Sequence, residues 1–310
     1  MERLEELEKL LHARCPGLEL RRDEPMAGHT TFRIGGPAAL MALPRTAAEA
    51  QAALSAAAEL GSVPFFLGNG SNLLVADRGY AGLIVKPAGE LEEIQTIPPQ
   101  GLQGGARLRA GGGALLSRLS RAALEQGLTG LEFAQGIPGS VGGAVTMNAG
   151  AYGGEIAQVL EQVTFLDPAG EVRTVPAAEC GFGYRRSIFS GGRSLILEAV
   201  FRLEPGDRAE IGARMEELAA RRKEKQPLEY PSAGSTFKRP PGHFAAALID
   251  RCGLKGLAVG GAQVSEKHAG FIVNRGGACC ADVLELVRRV RERVLRETGV
   301  ELELEVKVLK

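Results

Sequence analysis

The chain of 310 residues has no tryptophan, and aromatic residues make up only 5% of it. Cysteine is also scarce, and its positions do not follow the spacing of a metal site: Cys15, Cys180, Cys252, Cys279 and Cys280. We expect no metal ion. Because the count is odd and no secretory signal is recognisable, we expect reduced thiols in a cytoplasmic protein. The neighbours Cys279 and Cys280 suit either a redox-active pair or, as we favour, two small residues near the start of a helix.

The chain also lacks long apolar runs and an excess of one charge. A membrane-spanning helix needs about 18 or more consecutive apolar residues, and no such run is present. Lys plus Arg and Asp plus Glu number 37 each, so no overall field favours nucleic acid or a cationic partner. These absences predict a protein that neither inserts into a membrane nor binds nucleic acid. We further expect a monomer.

Common nucleotide-binding and catalytic patterns are missing as well. The sequence has no G-x-x-x-x-G-K-[ST] phosphate loop. The segment Gly68–Asn72 lies between two predicted strands, which differs from the strand, G-x-G-x-x-G, helix order of a Rossmann site. Neither His243 nor Asp250 stands at a spacing that identifies a nucleophilic triad, which argues against acyl transfer.

Glycine, in contrast, is abundant, with 42 residues, and it is densest between Gly130 and Gly154. Each glycine loses more backbone freedom on ordering than any other residue, so this density predicts loops and not the interior of a helix or strand. The segments Gly68–Asn72 and Ile137–Gly143 present successive unshielded N–H groups, which suit a phosphate. Each segment is therefore either an anion cradle or a set of tight turns.

Hydrophobic periodicity predicts a mixed α+β chain, and 310 residues exceed the size at which one core usually keeps growing. Thr46 opens a capping box, and Asp207 is placed to cap a long charged helix. The closing segment Val300–Leu309 alternates apolar and charged residues, which predicts one strand with Glu305 on its charged face. The composition shift at Pro205-Gly206-Asp207 indicates a domain boundary, and we expect domains over residues 1–86, 87–205 and 206–310.

Polar residues beside glycine or proline are the candidates for chemistry. Arg185 follows Tyr184 and precedes Ser187 by two positions, and its guanidinium suits a carboxylate. Ser235 follows Gly234 in a proline-bounded loop and is either a proton donor or a turn residue. Surface pairing is the alternative for Arg185, and a solvated strand face is the alternative for Glu305. Together with the two cradles, these residues suggest an enzyme that holds a large phosphate-bearing cofactor.

In order along the chain, these segments resemble the UDP-N-acetylenolpyruvoylglucosamine reductase family, flavoenzymes of peptidoglycan precursor synthesis. Any one motif is weak, whereas their order over nearly the whole chain is specific. The compact loop Tyr230–Ser235 resembles the shorter of the family's two subtypes. The resemblance rests on Thr31-Phe-Arg-Ile-Gly-Gly36, Gly68-Asn-Gly-Ser-Asn-Leu-Leu74, Gly136-Ile-Pro-Gly-Ser-Val-Gly-Gly-Ala144, Asn148-Ala-Gly-Ala-Tyr152, Tyr184-Arg185-x-Ser187, Gly234-Ser235-x-Phe237-Lys238 and Glu305-Val306.

The resemblance implies a FAD-binding fold of the vanillyl-alcohol-oxidase type in two subdomains, followed by a C-terminal substrate-binding domain whose last strand carries Glu305. Related oxidases attach flavin through a histidine, and His29 lies near a glycine pair, but this family holds FAD noncovalently. The FAD-binding residues implied are Gly68, Asn69, Gly70, Ser71, Asn72, Leu73, Ile137, Gly139, Ser140, Val141, Gly142, Gly143 and Thr146.

The reaction implied by the resemblance has two halves. NADPH reduces FAD and leaves, and the enolpyruvyl ether of UDP-N-acetylglucosamine then enters the same cleft and becomes UDP-N-acetylmuramate. Arg185 and Glu305 match the groups beside the substrate carboxylate, and Ser235 matches the proton donor. The residues implied at the substrate are Tyr184, Lys225, Lys238 and His268.

The chain departs from the family pattern at Arg239, where relatives often have Asn, and at Lys307, where many have Arg. Two rival interpretations follow from the sequence. A flavin oxidase of the same superfamily, acting on a small alcohol or hydroxy acid, would turn over with oxygen and without NADPH. A non-catalytic nucleotide-binding protein would carry no flavin after purification.

Overall fold

The structure is a computed structural model that describes residues 2–97 and 106–310. Met1 and residues 98–105, which belong to the predicted ranges 1–86 and 87–205, lie outside the described residues. The helices, in chain order, are α1 (Glu2–Arg14), α2 (Ala47–Glu59), α3 (Leu116–Glu125), α4 (Val141–Met147), α5 (Arg208–Lys225), α6 (Ala245–Arg251) and α7 (Cys280–Thr298). The strands are β1 (Glu19–Pro25), β2 (Pro37–Leu43), β3 (Phe65–Phe66), β4 (Leu73–Val75), β5 (Tyr80–Val85), β6 (Ile94–Ile97), β7 (Ala106–Gly111), β8 (Leu128–Thr129), β9 (Gly150–Ala151), β10 (Gly154–Glu155), β11 (Leu160–Leu166), β12 (Val172–Pro176), β13 (Leu195–Pro205), β14 (Ser232–Ser235), β15 (Ala258–Val259), β16 (Ala262–Val264), β17 (Phe271–Asn274) and β18 (Lys307–Leu309).

Most strands belong to three larger sheets. A four-stranded sheet has the order β1-β2-β5-β3, and a second four-stranded sheet has the order β14-β17-β16-β15. The six-stranded sheet follows the order β12-β11-β13-β7-β6, with β8 paired to β13. Two smaller pairs are antiparallel β9–β10 and parallel β4–β18. This mixture of helices and mainly antiparallel sheets confirms the predicted α+β class.

The chain divides into two compact units, each built from separate stretches of sequence. The first unit comprises Met1–Arg22, Leu40–Asn69 and Gly82–Ala220. The second comprises Asp23–Ala39, Gly70–Ala81 and Arg221–Lys310. The boundary between Asn69 and Gly70 divides the first predicted cradle between the two units. The three predicted domain ranges, 1–86, 87–205 and 206–310, stay a prediction.

Apolar clusters form the core of each unit. In the first unit, α3 and α4 cover the six-stranded sheet around Phe201, and a separate cluster around Leu54 joins α1 and α2. In the second unit, α7 packs against α6 and β16 around Leu286. These three side chains are 5% exposed or less, so they are removed from water by their own unit.

Two predicted helix starts are confirmed. Thr46 Oγ1 accepts the N–H of Glu49 at 3.2 Å before α2, and the Glu49 carboxylate accepts the N–H of Arg45 at 2.6 Å. Asp207 Oδ1 accepts the N–H groups of the second and third residues after it, at 2.7 and 3.0 Å, at the start of α5. These side chains satisfy N–H groups that have no partner inside the helix.

The favoured interpretation of the adjacent cysteines is also confirmed. Cys279 is the N-cap of α7, and its Sγ accepts the N–H of Asp282 at 3.4 Å. Burial raises the pKa of the Cys280 thiol to about 11, and the nearby Asp77 acts in the same direction. The Cys280 thiol is therefore protonated at neutral pH. All five cysteines are free.

Two local predictions are wrong. Gly142 and Gly143 were expected in a loop but lie in the first turn of α4, where Ser140 caps the helix. The Gly142 N–H donates to Gly112 O at 2.8 Å, and a Cβ at Gly142 would be crowded because it would lie 3.0 Å from the same oxygen. The last strand was expected to carry Glu305, but β18 begins at Lys307. Before it, Leu304 forms only a single bridge, with Phe237.

Candidate active site

The two predicted cradles contact each other within the first unit. Asn69 Nδ2 donates a hydrogen bond to Pro138 O at 2.6 Å. A Cβ added to Gly68 would overlap Ser140 Oγ, so the two loops approach each other most closely at a glycine. The structure therefore brings together two segments that are about seventy residues apart in sequence.

Some backbone donors in the second cradle already bond protein acceptors. The N–H of Ile137 bonds Ala134 O at 3.0 Å, and the N–H of Val141 bonds Ala114 O at 2.8 Å. Ser140 Oγ accepts the N–H of Gly143 at 3.3 Å. These bonds, with that of Gly142, shape the cradle and leave the N–H groups of Ile137, Val141 and Gly143 unavailable to a ligand. Thr146 also acts within α4, since its hydroxyl donates to Gly142 O at 2.8 Å.

Other backbone donors of the cradles remain open. Among the described residues, the N–H groups of Gly139 and Ser140 have no acceptor, and the same holds for Gly68 and Asn69. Because the two loops touch, these N–H groups belong to one small region of the first unit. Open N–H groups on closely packed glycine loops fit the diphosphate of a dinucleotide such as FAD.

The second unit holds the rest of the first cradle. Gly70 has φ +62° and approaches the His29 carbonyl so closely that a Cβ would overlap its oxygen. The N–H groups of Gly70 and Ser71 have no acceptor within the described ranges 2–97 and 106–310. Leu73 opens β4 and is only 4% exposed, so its side chain packs in the core. This part of the cradle also fits an anionic group through its backbone.

In the first unit, a tight turn presents Tyr184 and Arg185. Gly183 and Arg186 exchange backbone hydrogen bonds of 3.0 and 3.1 Å, and Arg185 between them has φ +53°. The Arg185 guanidinium lies 5.2 Å from the centre of the Tyr184 ring and donates to Gly150 O at 3.4 Å. Tyr184 is 57% exposed. The turn thus holds a cation and an aromatic face at the surface of its unit.

The end of α4 supports this turn through Asn148 and Ser187, which our sequence analysis named only as members of family motifs. Asn148 ends the helix in the left-handed conformation, with φ +42°, and is 2% exposed. Its Nδ2 donates to Gly183 O at 3.3 Å, and its Oδ1 accepts the N–H of Ala157 at 3.0 Å. Ser187 Oγ donates to Thr146 O at 2.8 Å. Asn is one of the few residues that tolerate the left-handed conformation after a helix. This preference is the sequence signal that could have indicated the end of α4 at Asn148.

In the second unit, Ser235 and Glu305 are brought together through Thr236. Ser235 ends β14 after a bulge at Gly234, which has φ +74°. Thr236 is 2% exposed, and its carbonyl accepts the N–H of Glu305 at 2.9 Å. Thr236 Oγ1 accepts the N–H of Ile272 at 3.0 Å, which ties this segment to β17. Two of the three predicted catalytic residues therefore lie on adjoining backbone segments.

The predicted substrate residue His268 adjoins the same segment. The N–H of Thr236 donates to Gly270 O at 2.8 Å, and the N–H of Gly270 donates to His268 Nδ1 at 3.1 Å. The imidazole also meets the Phe271 ring edge to face, with centroids 4.9 Å apart. Burial lowers the pKa of His268, and the Lys255 charge adds to the effect. The ring is thus neutral at pH 7 and carries its proton on Nε2, where it can donate to a ligand.

The predicted lysines occupy more exposed positions. Lys225 is the last residue of α5 and is exposed. Lys238 follows Ser235 by three residues, and its Nζ pairs with the Glu303 carboxylate. The neighbouring Arg239, one of the departures from the family pattern, lies over the Phe244 ring at 4.5 Å.

Among the residues that the structure describes, no group of three or more His, Cys, Asp or Glu side chains is arranged to hold a metal ion. None of the described helices combines the length and the apolar character that crossing a membrane would require.

Comparison with known proteins defines the class of protein first. Residues 38–176 match a family described as FAD binding domain, and this range includes both glycine cradles completely. Residues 226–309 match the C-terminal domain of UDP-N-acetylenolpyruvoylglucosamine reductase, and they include Ser235, His268 and Glu305. The chain is therefore a FAD-containing oxidoreductase, with a FAD-binding fold followed by a C-terminal domain as predicted.

Relatives along the full length identify the family. The chain is 50% identical over 307 residues to the UDP-N-acetylenolpyruvoylglucosamine reductase of Agathobacter rectalis, which covers 97% of both chains. It is 47% identical over 310 residues to that of Geobacillus thermodenitrificans, covering 100% of this chain and 99% of the relative. The crystal structure of the reductase from Thermus caldophilus matches with a TM-score of 0.78 and 40% identity, over 94% of this chain and 99% of that one. The chain belongs to the UDP-N-acetylenolpyruvoylglucosamine reductase family.

Proposed function

We propose that the chain reduces the enolpyruvyl group of UDP-N-acetylglucosamine enolpyruvate to give UDP-N-acetylmuramate, with NADPH as the reductant, in peptidoglycan precursor synthesis. The observation that carries this proposal in the structure is the hydrogen bond of 2.9 Å from Glu305 N–H to the carbonyl of Thr236. It sets the Glu305 backbone next to the residue that follows Ser235. Family membership supplies the substrate and the reductant.

FAD, when bound, supplies the hydride that adds to the vinyl carbon of the substrate. The residues that would hold it are those of the two cradles: Gly68, Asn69, Gly70, Ser71, Asn72, Leu73, Ile137, Gly139, Ser140, Val141, Gly142, Gly143 and Thr146. Backbone N–H groups of Gly68, Asn69, Gly139 and Ser140 would bind its diphosphate, and the remaining residues shape the loops. The attachment is noncovalent, so denaturation releases the flavin.

Addition of hydride to the double bond builds negative charge on the substrate carboxylate and its adjacent carbon. Fixed donors aimed at this charge lower the barrier most, because they need no reorganisation during the reaction. The Arg185 guanidinium is such a donor and pairs with a carboxylate in a planar fork. Glu305 would act either protonated or bridged to a donor, since an ionised carboxylate would repel the developing charge.

Ser235 donates the proton to the carbon next to the carboxylate. A serine hydroxyl is a weak acid in water, but the intermediate is strongly basic and a closed site excludes water. Thr236 keeps Ser235 in place, because it is buried and bonded to Gly270, Ile272 and Glu305. A register irregularity between Ser232 and Ser235, with Gly234 at φ +74°, interrupts the regular strand pattern just before Ser235.

The remaining predicted residues would bind the substrate. Neutral His268 offers its Nε2–H as a donor. Lys225 would attract the carboxylate or the diphosphate, and Lys238 would do so after leaving its ion pair with Glu303. Tyr184 offers an exposed aromatic face beside Arg185. We further propose a cytoplasmic monomer, and the free cysteines support a reducing compartment.

Anaerobic spectroscopy of the purified protein tests this function. We expect a yellow protein that NADPH bleaches, and we expect UDP-N-acetylglucosamine enolpyruvate to restore the oxidised flavin spectrum. A reduced protein that reacts with oxygen but not with this substrate would instead indicate an oxidase. A purified protein without flavin, which also fails to bind added FAD, would indicate a nucleotide-binding protein without this activity.

A further inference from the structure

We propose that Asn72 is a positioning residue for Glu305. It links the first cradle to the residue whose carboxylate takes part in the reduction of the substrate. This inference rests on the proposed function. It gives Asn72 a role beyond the contact with FAD that the family resemblance implies.

Asn72 holds the backbone on both sides of Val306. Its Nδ2 donates to Glu305 O at 3.1 Å, and its own carbonyl accepts the N–H of Lys307 at 3.0 Å. The parallel ladder between β4 and β18 begins at the next residue, where Leu73 pairs with Lys307. Asn72 therefore extends this ladder backwards by one step and fixes the Glu305 peptide.

Thr236 holds the other backbone group of Glu305: the Thr236 carbonyl accepts the Glu305 N–H at 2.9 Å. The residues from 300 to 306 form no strand, and Leu304 makes only an isolated bridge with Phe237. The position of Glu305 therefore depends on individual hydrogen bonds and not on a continuous ladder. Among these bonds, the one from Asn72 is made by a side chain and can be removed by substitution.

The loop that supplies Asn72 is the one predicted to hold the cofactor. The neighbours Gly70 and Ser71 keep open N–H groups, whereas the Asn72 amide is directed to Glu305. A small displacement of a reacting group costs rate steeply, by about a hundredfold for 1 Å in sensitive cases. Loss of the Asn72 amide should therefore slow the half-reaction that uses Glu305 and spare the reduction of FAD by NADPH.

The test compares Asn72→Ala with a matched control, Gln263→Ala. Gln263 Nε2 also donates to a backbone carbonyl at 3.1 Å, that of Gly256, in the same unit and outside the proposed site. Both variants are saturated with FAD, and each half-reaction is followed by anaerobic stopped-flow spectroscopy. For Asn72→Ala we expect substrate reduction to slow about tenfold or more while flavin reduction stays within about threefold. For Gln263→Ala we expect both rates to match the unmodified protein. Asn72→Ser, which is too short to reach Glu305 O, repeats the test if Asn72→Ala does not fold.

A double-mutant cycle with Glu305→Gln separates positioning from a general structural effect. If Asn72 acts through Glu305, adding Asn72→Ala to Glu305→Gln should cost much less than it costs alone. Equal slowing of both half-reactions by Asn72→Ala, or full additivity with Glu305→Gln, would overturn the proposal.

Hydrogen exchange provides a readout that does not depend on activity. Asn72→Ala should speed amide exchange in the peptide covering residues 303–308, because Glu305 and Lys307 lose an ordered neighbour, and Gln263→Ala should not. Unchanged exchange in Asn72→Ala would refute the positioning role. If exchange changes while the unmodified protein fails to reduce the enolpyruvyl substrate, the proposed function fails and the structural link stands.

Discussion

Asn148 offers the most direct test of how α4 supports the Arg185 turn. The substitutions Asn148→Ala and Asn148→Gly remove the same two hydrogen bonds, to Gly183 O at 3.3 Å and from the N–H of Ala157 at 3.0 Å. They differ in the backbone, because Asn148 has φ +42°, which glycine adopts freely and alanine does not.

The expected magnitudes follow from these contacts. Each lost hydrogen bond costs about 1 to 1.5 kcal/mol of the free energy of unfolding, because its former partner is left partly buried. The left-handed conformation costs alanine roughly 1 to 2 kcal/mol more. Asn148→Ala should therefore destabilise the protein by about 3 to 5 kcal/mol, and Asn148→Gly by about 2 to 3 kcal/mol. The gap between the two variants measures the backbone contribution alone.

Urea unfolding of the FAD-saturated variants, followed by circular dichroism, gives these free energies. The same samples, studied by anaerobic stopped-flow spectroscopy, should show slower substrate reduction in both variants, since the turn that carries Arg185 loses its support. If alanine and glycine destabilise equally, the left-handed conformation does not matter. A loss below about 0.5 kcal/mol for Asn148→Gly would mean that the two hydrogen bonds give no net stability.

The remaining predictions concern the proton donor, the cradle and pH. Ser235→Ala should leave flavin reduction by NADPH near normal and slow substrate reduction about 10²- to 10⁴-fold. Glu305→Gln should slow the same half-reaction. Equal slowing of both half-reactions in stopped-flow traces would make these residues structural. Gly68→Ala should weaken FAD binding about tenfold or more in fluorescence titrations, because the new Cβ overlaps Ser140 Oγ and parts the loops. The control is Gly191→Ala, where a Cβ meets nothing within 4 Å. Equal affinity of the two variants for FAD would contradict the cradle. Burial lowers the pKa of His268 below its ordinary 6.5, so as the pH falls below about 6.5 the unfolded chain gains a proton that the folded chain resists, and stability should fall. His268→Asn should flatten this part of the pH profile in urea unfolding, and an unchanged slope would assign it to other groups.

Local signals in the sequence predicted the features that depend on neighbouring residues. The caps at Thr46 and Asp207 are confirmed because a cap needs only an acceptor side chain two or three residues before the N–H that it binds. The burial pattern near the C-terminus also follows local alternation, since Leu302 and Val306 are buried while Glu303 is exposed. The caps bind N–H groups that are close in sequence, and the buried side chains need only an apolar core to pack against.

The helix α4 shows how a distant contact overrides a local preference. Glycine is a poor helix former, and Gly142 and Gly143 predicted a loop. The helix forms here because Ser140 caps it and because the Gly112 carbonyl, thirty residues earlier, accepts the Gly142 N–H and leaves little room for a Cβ at Gly142. The glycines can be seen in the sequence, but their contact with Gly112 forms only in the folded chain.

Glu305 shows the same limit in the site itself. Its alternating neighbours predicted a strand, yet β18 begins only at Lys307. The segment 300–306 is held instead by single hydrogen bonds with Thr236, Lys238 and Asn72. The bond from Asn72 joins residues that are 233 positions apart, so no local pattern can indicate it. It also means that the loop read as a cofactor cradle and the segment read as a catalytic strand are parts of one hydrogen-bonded structure. A change in either segment should therefore alter the other, which is why the half-reactions of Asn72 variants report on the position of Glu305.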